Sequence, residues 1–365
     1  MNYDSSVRTH VHTAGLLLFV ALSPLTVLGW GDTGHRVVTR IAFRYLNAQA
    51  KSTVVDLVKA DIALNRSYYQ GKCPDVLVLG DKATPSAQEL ERFAEMGLAC
   101  VAPWPDPPLK SERLYTSNWH FVDIPVDLRG PNGPVRFAFD VSRDCRMDDQ
   151  RGDCAILAMK RLRPVLANRR EQVVSRAEAL KFIVHIIGDL HQPLHSVTDK
   201  KDVNNQSDIG DIGGNRKIVQ FNVPAWNNNA NKNVNPRWHE QWNLHSVWDE
   251  GIIDALMNID NLSEDQYVDR LLKSLATFPP EQVAVLQAGD LLKWVDESYQ
   301  LAIEKAYKLP AFDNDYQYVD KNGNARKGGY ILDSVYFGSN RGVVDKQLQS
   351  GGLRLAKILN ETFQN

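Results

Sequence analysis

Eleven residues constrain this chain more than any others: His185-Ile-Ile-Gly-Asp189-Leu-His191-Gln-Pro193-Leu-His195. Three imidazoles and a carboxylate follow directly on the apolar run Phe182-Ile183-Val184. On a helix, His185 and Asp189 are i,i+4 neighbours on one face. Pro193 breaks or kinks that helix just beyond, which lets His195 turn away from the first pair. Such an element can hold two metal ions with Asp189 between them. Downstream, His245-Ser-Val-Trp-Asp249 repeats the His-x3-Asp spacing. The rest of the chain reads as scaffolding around these two motifs.

The N-terminus reads as a processing signal. Arg8, His10 and His12 precede an apolar run, Ala14 to Leu22, that is too short to span a bilayer. Val27 and Gly29 stand at the small-residue positions of a signal-peptidase site. Residues 1–29 are therefore predicted to be a signal peptide cleaved after Gly29, and residues 30–365 a secreted or periplasmic domain starting at Trp30. A short membrane anchor is the alternative. Four cysteines in an oxidising compartment predict two disulfides. Proximity favours Cys73 with Cys100 and Cys145 with Cys154, without fixing the pairing, and the spacing does not suit a thiolate zinc site. Sequons stand at Asn65, Asn205, Asn261 and Asn360.

From Trp30-Gly-Asp-Thr-Gly-His35 the pattern turns helical through Val37, Ile41 and Tyr45. Further helices are expected at 51–62, 87–96, 154–166, 177–190, 263–277, 288–307 and 348–363. Trp104-Pro-Asp106-Pro-Pro-Leu-Lys110 cannot be regular helix. Ser117 to Pro125 reads either as a short buried strand or as a ligand His120 with a catalytic Asp123. Residues 126–152 read as a long loop, 217–223 as a strand of a small hairpin, and 227–235 as an asparagine-rich loop. No repeat or second composition regime appears, so the expectation is an all-α, mainly helical single domain with small β hairpins.

Of nine histidines, two fall in the predicted signal peptide, and five of the rest lie in His/Asp-rich motifs: His35, His120, His185, His195 and His245. Imidazole and carboxylate ligands without thiolates favour zinc. A net charge of −2 gives no sign of a basic nucleic-acid-binding face.

Taken together, these motifs resemble one family. Trp30 with His35, Trp104-Pro-Asp106, His120-Phe-Val-Asp123, the His185 to His195 motif, Gly213-Gly-Asn215 and Asn243-Leu-His245-x2-Trp-Asp249 occur in its order. It is that of the trinuclear-zinc nucleases, whose type members are the fungal single-strand-specific S-one and P-one nucleases. The zinc phospholipases C share its fold. The C-terminal Gly352-Leu-Arg354 to Asn360 also resembles the family's last helix.

The resemblance implies three Zn2+. One takes Asp106, His120, His185 and one oxygen of Asp189. A second takes the Trp30 amine and carbonyl, His35 and the other Asp189 oxygen. The third takes His195, His245 and Asp249 and keeps an open position. His191 is then a supporting residue and not a ligand. It further implies a monomeric endonuclease without stable membrane association, hydrolysing single-stranded DNA and RNA to 5′-phosphate products and acting also as a 3′-nucleotidase. Asp123 orients the nucleophile, while Phe121, Asn215 and Lys110 meet substrate. One departure concerns the basic residue typical three positions after the ligand Asp: here Leu109 stands there, and Lys110 follows as a point charge. Asp81 is the alternative to Asp106. A phospholipase C on the same scaffold and a non-catalytic zinc protein are the rival readings.

Overall fold

The computed structural model describes residues 30–106, 113–199, 209–223, 242–320 and 323–364. The predicted signal peptide, Leu109, Lys110, Asn205 and the asparagine-rich run at 227–235 lie outside the described residues. The fold is mainly helical, as its composition and periodicity predict. Thirteen labelled helices suffice to describe it: α1 (Asp32–Arg44), α2 (Ala48–Lys72), α3 (Pro74–Gly80), α4 (Ala87–Val101), α5 (Val141–Asp144), α6 (Ala155–Ala167) and α7 (Val173–Asp189) in the first half. The second half holds α8 (Leu244–Ser246), α9 (Ile252–Ile259), α10 (Glu264–Ala276), α11 (Pro280–Gln287), α12 (Leu291–Leu301) and α13 (Ser334–Phe363).

Helix α7 is the axis. Every residue from Ala179 to Asp189 is buried, so this part of the helix is enclosed on all sides and is apolar except along the Lys181, His185 and Asp189 stripe. It packs against α1, α2, α6 and α13. The crossing of α13 over α1 is close because Gly352 faces Ile41: a Cβ on Gly352 would stand 2.4 Å from Ile41 Cγ2. Outer helices start on side-chain caps; Ser86 with Glu89 and Ser263 with Gln266 form capping boxes.

Several boundaries differ from expectation for physical reasons. Helix α2 runs past 62 to Lys72, with a kink at Asn65 (φ −125°, ψ 31°). The Asn65 amide turns there to Asp61 (2.9 Å). The expected helix at 288–307 starts only at Leu291, because Gly289 takes φ +95°. Asp290 then caps α12, and a π turn, Ala302–Ala306, follows it. The segment before Phe121 is a 3-10 helix, Leu114–His120, and not a strand. The long loop at 126–152 contains α5 and is closed by a disulfide between Cys145 and Cys154, while Cys73 pairs with Cys100.

Two small sheets tie the ends of these elements together. In one, the order is β2 (Val135–Arg136), β1 (Pro125–Asp127), β3 (Thr198–Asp199), with β1 and β3 parallel. In the other it is β5 (Trp242–Asn243), β4 (Ile218–Phe221), β7 (Ala325–Leu332), β6 (Asp313–Val319). Strand β4 therefore joins a four-stranded mixed sheet, and the hairpin proper is β6–β7. No single-face periodicity announced that hairpin.

His191, one turn beyond α7, fills the space between α7, α12 and α13. Its Nδ1 donates to the Ile187 carbonyl (2.7 Å) and its Nε2 accepts from Arg354 Nη1 (3.0 Å). Burial, reinforced by the Arg354 charge, pushes its pKa down to about 3. An unfolded histidine titrates near 6.5, so the unfolded chain binds the extra proton between those values. The stability of neutral His191 is thus complete above about pH 6.5 and lost as pH falls toward 3, by up to roughly 4 kcal/mol. With chelator present, urea denaturation at stepped pH should show that loss. His191→Gln should flatten the slope by up to one proton; an unchanged slope would assign the acid sensitivity elsewhere.

Candidate metal centre

Three groups of donor side chains converge at the lower end of α7: His35, His185 and Asp189; Asp106, His120 and His185; His195, His245 and Asp249. Within each group the donor atoms lie within 4.8 Å of one another, and every member is buried. Seven separate segments deliver them. His35 comes from the first turn of α1 and Asp106 from the turn after α4. His120 ends the 3-10 helix Leu114–His120, and His185 and Asp189 share one face of α7. His195 lies in a second 3-10 turn, Pro193–Ser196, and His245 in α8. Asp249 sits in a π turn, Val247–Gly251.

Asp189 divides its two oxygens. Oδ1 lies 3.3 Å from His35 Nε2, while Oδ2 lies 3.2 Å from His185 Nε2 and 3.1 Å from His120 Nδ1. Asp106 Oδ1 is 3.5 Å from His185 Nε2. In the third group His195 Nε2 faces His245 Nε2 at 3.0 Å, and Asp249 Oδ2 is 3.5 Å from the latter.

The outer imidazole nitrogens fix the ring orientations. The Nδ1 atoms of His185, His195 and His245 donate to the carbonyls of Ala102 (2.8 Å), His120 (2.7 Å) and Gly213 (2.7 Å). Each Nε2 lone pair then points inward, the arrangement that orients metal-binding histidines. Several atoms of these residues are buried without a hydrogen-bond partner: both nitrogens of His35, Asp106 Oδ1, His120 Nε2 and Asp189 Oδ1. Such orphans cost about 1–3 kcal/mol each unless something answers them. Facing nitrogens and unanswered carboxylate oxygens, with no thiolate among them, are a donor set suited to zinc.

The crowded donor groups strongly perturb one another's titration. Burial opposes charge on His185, but Asp189 and Asp106 outweigh it and push its pKa up to about 10. Burial likewise works against the Asp189 charge, yet His185 and His195 hold its carboxyl well below the usual range. Burial, then His185, lowers His35. Burial raises Asp249 well above the usual range, against the pull of a Gln192 hydrogen bond.

Other residues singled out from sequence lie nearby. Trp30 is fully buried, and the Gly31 N–H donates to the Asp249 carbonyl (3.0 Å), which sets residue 30 beside the cluster. Phe121 and Asp123 are half-buried and follow His120 directly. Between them, the Val122 N–H bonds the His195 carbonyl (2.8 Å). Asn215 is turned into its own loop, donating to the Ile212 carbonyl (2.9 Å) and accepting from Asn243 (3.4 Å). Asp81, the alternative to Asp106, is exposed and paired with Arg66, away from the histidines.

Two residues in the central motif carry roles that sequence reading passed over. Gln192 is fully buried; its Nε2 donates to Asp249 Oδ1 (2.6 Å) and its Oε1 accepts from the Leu194 N–H (2.6 Å). Gly188 leaves room for His35: a Cβ there would stand 2.6 Å from His35 Nδ1. Their signal was the position itself, a glutamine and a glycine inside an otherwise apolar or ligating run.

A family model described as S1/P1 Nuclease matches residues 30–364. Endonuclease 3 of Arabidopsis thaliana is 29% identical over 344 residues, covering 92% of this chain and 90% of that protein. Nuclease P1 of Penicillium citrinum is 25% identical over 333 residues, covering 91% and 97% respectively. Nuclease S1 of Aspergillus oryzae is 28% identical over 263 residues, covering 71% and 66%.

Gly188→Ala tests the tightness of the cluster. Glycine to alanine within a helix ordinarily gains up to about 1 kcal/mol. Here the methyl group must displace His35, so a loss of about 1–3 kcal/mol is expected. Thermal unfolding and zinc content by atomic emission should both fall. Unchanged values for both would show that the pocket relaxes around the methyl group.

Proposed function

Since the chain belongs to the S1/P1 nuclease family and is therefore a hydrolase of phosphodiester bonds, we propose that it is a secreted zinc enzyme acting on single-stranded DNA and RNA. Its products carry 5′ phosphates, and it also removes 3′ phosphates from nucleotides. The observation that carries this reading is the division of the Asp189 oxygens between His35 on one side and His120 with His185 on the other. A carboxylate so placed would be able to serve two cations at once.

Residues 1–29 are removed in this reading, and residues 30–365 form the mature monomer. Asp106, His120, His185 and Asp189 hold one zinc. The freed Trp30 amine and carbonyl, His35 and Asp189 hold a second, and His195, His245 and Asp249 a third. Zinc bound there outweighs the three ligand carboxylates and supplies Lewis-acid polarisation together with a water of lowered pKa.

The chain's own residues do the rest. Asp123 stands three positions beyond His120, at the entry to β1, where it can orient a water and take its proton. Phe121 offers a half-buried ring face to an unpaired base, a contact indifferent to sequence. Asn215 and Lys110 are assigned to substrate contact, and Leu109 shifts rate or substrate preference more than metal binding. No helix among the described residues is long and apolar enough to cross a membrane.

The decisive experiment incubates protein starting at Trp30 with single-stranded DNA and with RNA, with and without chelator. Chelator-sensitive release of 5′-phosphorylated products is expected; none from a zinc-loaded sample would overturn the proposal. Asp123→Asn should keep its zinc and lose about 100-fold or more in kcat. A chain extended ahead of Trp30 should lack one zinc. Full zinc content in the extended chain would remove the terminal amine from the ligand set.

A further inference from the structure

Residues 209–217, the loop leading into β4, support the third ligand group from behind. The Gly213 carbonyl accepts the His245 Nδ1 hydrogen (2.7 Å). A Cβ on Gly213 would stand 2.3 Å from the carbonyl oxygen of Leu194, the residue before His195. The loop is thus wedged between the supports of both histidines. Its backbone is also strained, with Ile212, a β-branched residue, at φ +55°. Such a conformation persists only where its surroundings fix it.

Asp211 fixes it. This buried carboxylate accepts the Tyr307 hydroxyl (3.0 and 2.9 Å) and the Asp199 N–H (2.9 Å), with Lys217 Nζ at 3.4 Å. The Asp211 backbone bonds Asp199 and Arg216 (both 3.1 Å). Lys217 reaches Asp199 as well (3.0 Å) and lies over the Tyr307 ring (5.3 Å). Its own carbonyl accepts from the N–H of Leu244 (2.9 Å), immediately before His245.

We propose that Tyr307 and Lys217 are positioning residues for the His195–His245–Asp249 pocket, acting through Asp211 and the loop it anchors. Neither residue belongs to the ligand set. The hydroxyl and the ammonium hold the carboxylate, the carboxylate holds the loop, and the loop carbonyl holds the imidazole. Loss of either donor leaves Asp211 buried and short of a partner, and the loop gives way where it is strained. The effect is expected at the third group, whose His245 ring the Gly213 carbonyl holds. This inference rests on the zinc reading of the cluster.

The test reads metal release and not turnover. Purified zinc-loaded protein, its Tyr307→Phe and Lys217→Met variants are titrated with a chromogenic zinc chelator. One zinc should leave either variant at about 10- to 100-fold lower chelator concentration, as for loss of a group supporting a metal ligand. The remaining zinc should be held as in the parent, and kcat should recover in excess zinc. In a His245→Ala background, Tyr307→Phe should change zinc release no further. Release unchanged in the variants, or weakened for every zinc alike, would overturn the proposal and leave the zinc reading standing. A parent chain that binds no zinc would overturn both. Should Tyr307→Phe fail to fold, Lys217→Met carries the same test.

Discussion

Asp189 has no solvent exposure and ends a helix whose own terminal carbonyls carry partial negative charge. A lone carboxylate there would cost several kcal/mol. The structure answers it with imidazoles drawn from α1, from the 3-10 helix before Phe121 and from α7 itself. Those segments can meet only if α1 and the His120 segment both lie against the buried end of α7. The charge at one residue therefore dictates the packing of elements far apart in sequence.

About two turns back along α7, a second ionic layer steadies the first. Lys181 is buried, pairs with Asp61 (2.7 Å) and lies over the Trp104 ring at 3.7 Å. Tyr69 completes the Asp61 carboxylate from the opposite side (2.9 Å). Arg113 covers Trp104 as well (4.4 Å) and is anchored to Glu178 (2.6 Å). Glu178, Lys181 and His185 fall on one stripe of the helix, at i, i+3 and i+7. The same stripe thus clamps the tryptophan that leads to Asp106 and presents a histidine to it. Buried charges of this kind are tolerated because each has its partner.

Much of this was legible in the sequence wherever the signal was local. The His185 to His195 run, with its apolar approach and its proline, shows a helix ending in donors, and the structure ends α7 at Asp189. The order of the His/Asp motifs carried the family. What remained hidden was non-local. Nothing in the composition of β6 and β7 shows that β7 lies beside β4, because that parallel pairing joins residues as far apart in sequence as Val219 and Tyr330. The length of α13 was underestimated because its first half packs one side only and carries Gly338 and Gly342. Asn65 and Asn360 read as sequons, yet both side chains are half-buried and their amides are engaged, on Asp61 (2.9 Å) and on the Tyr45 carbonyl (3.0 Å). Sequence shows a sequon but not the direction of its amide.

The donor groups draw on α1 near one end of the chain and on the Asp249 turn well past its middle. A contact set with such wide sequence separation forms late, since the intervening chain must be ordered before the ends can meet. Synthesis meets the same limit: a nascent chain that has not yet passed residue 249 has no third pocket to fill. The full set of donor groups therefore exists only once the chain has been made through Asp249, and no shorter fragment can assemble it.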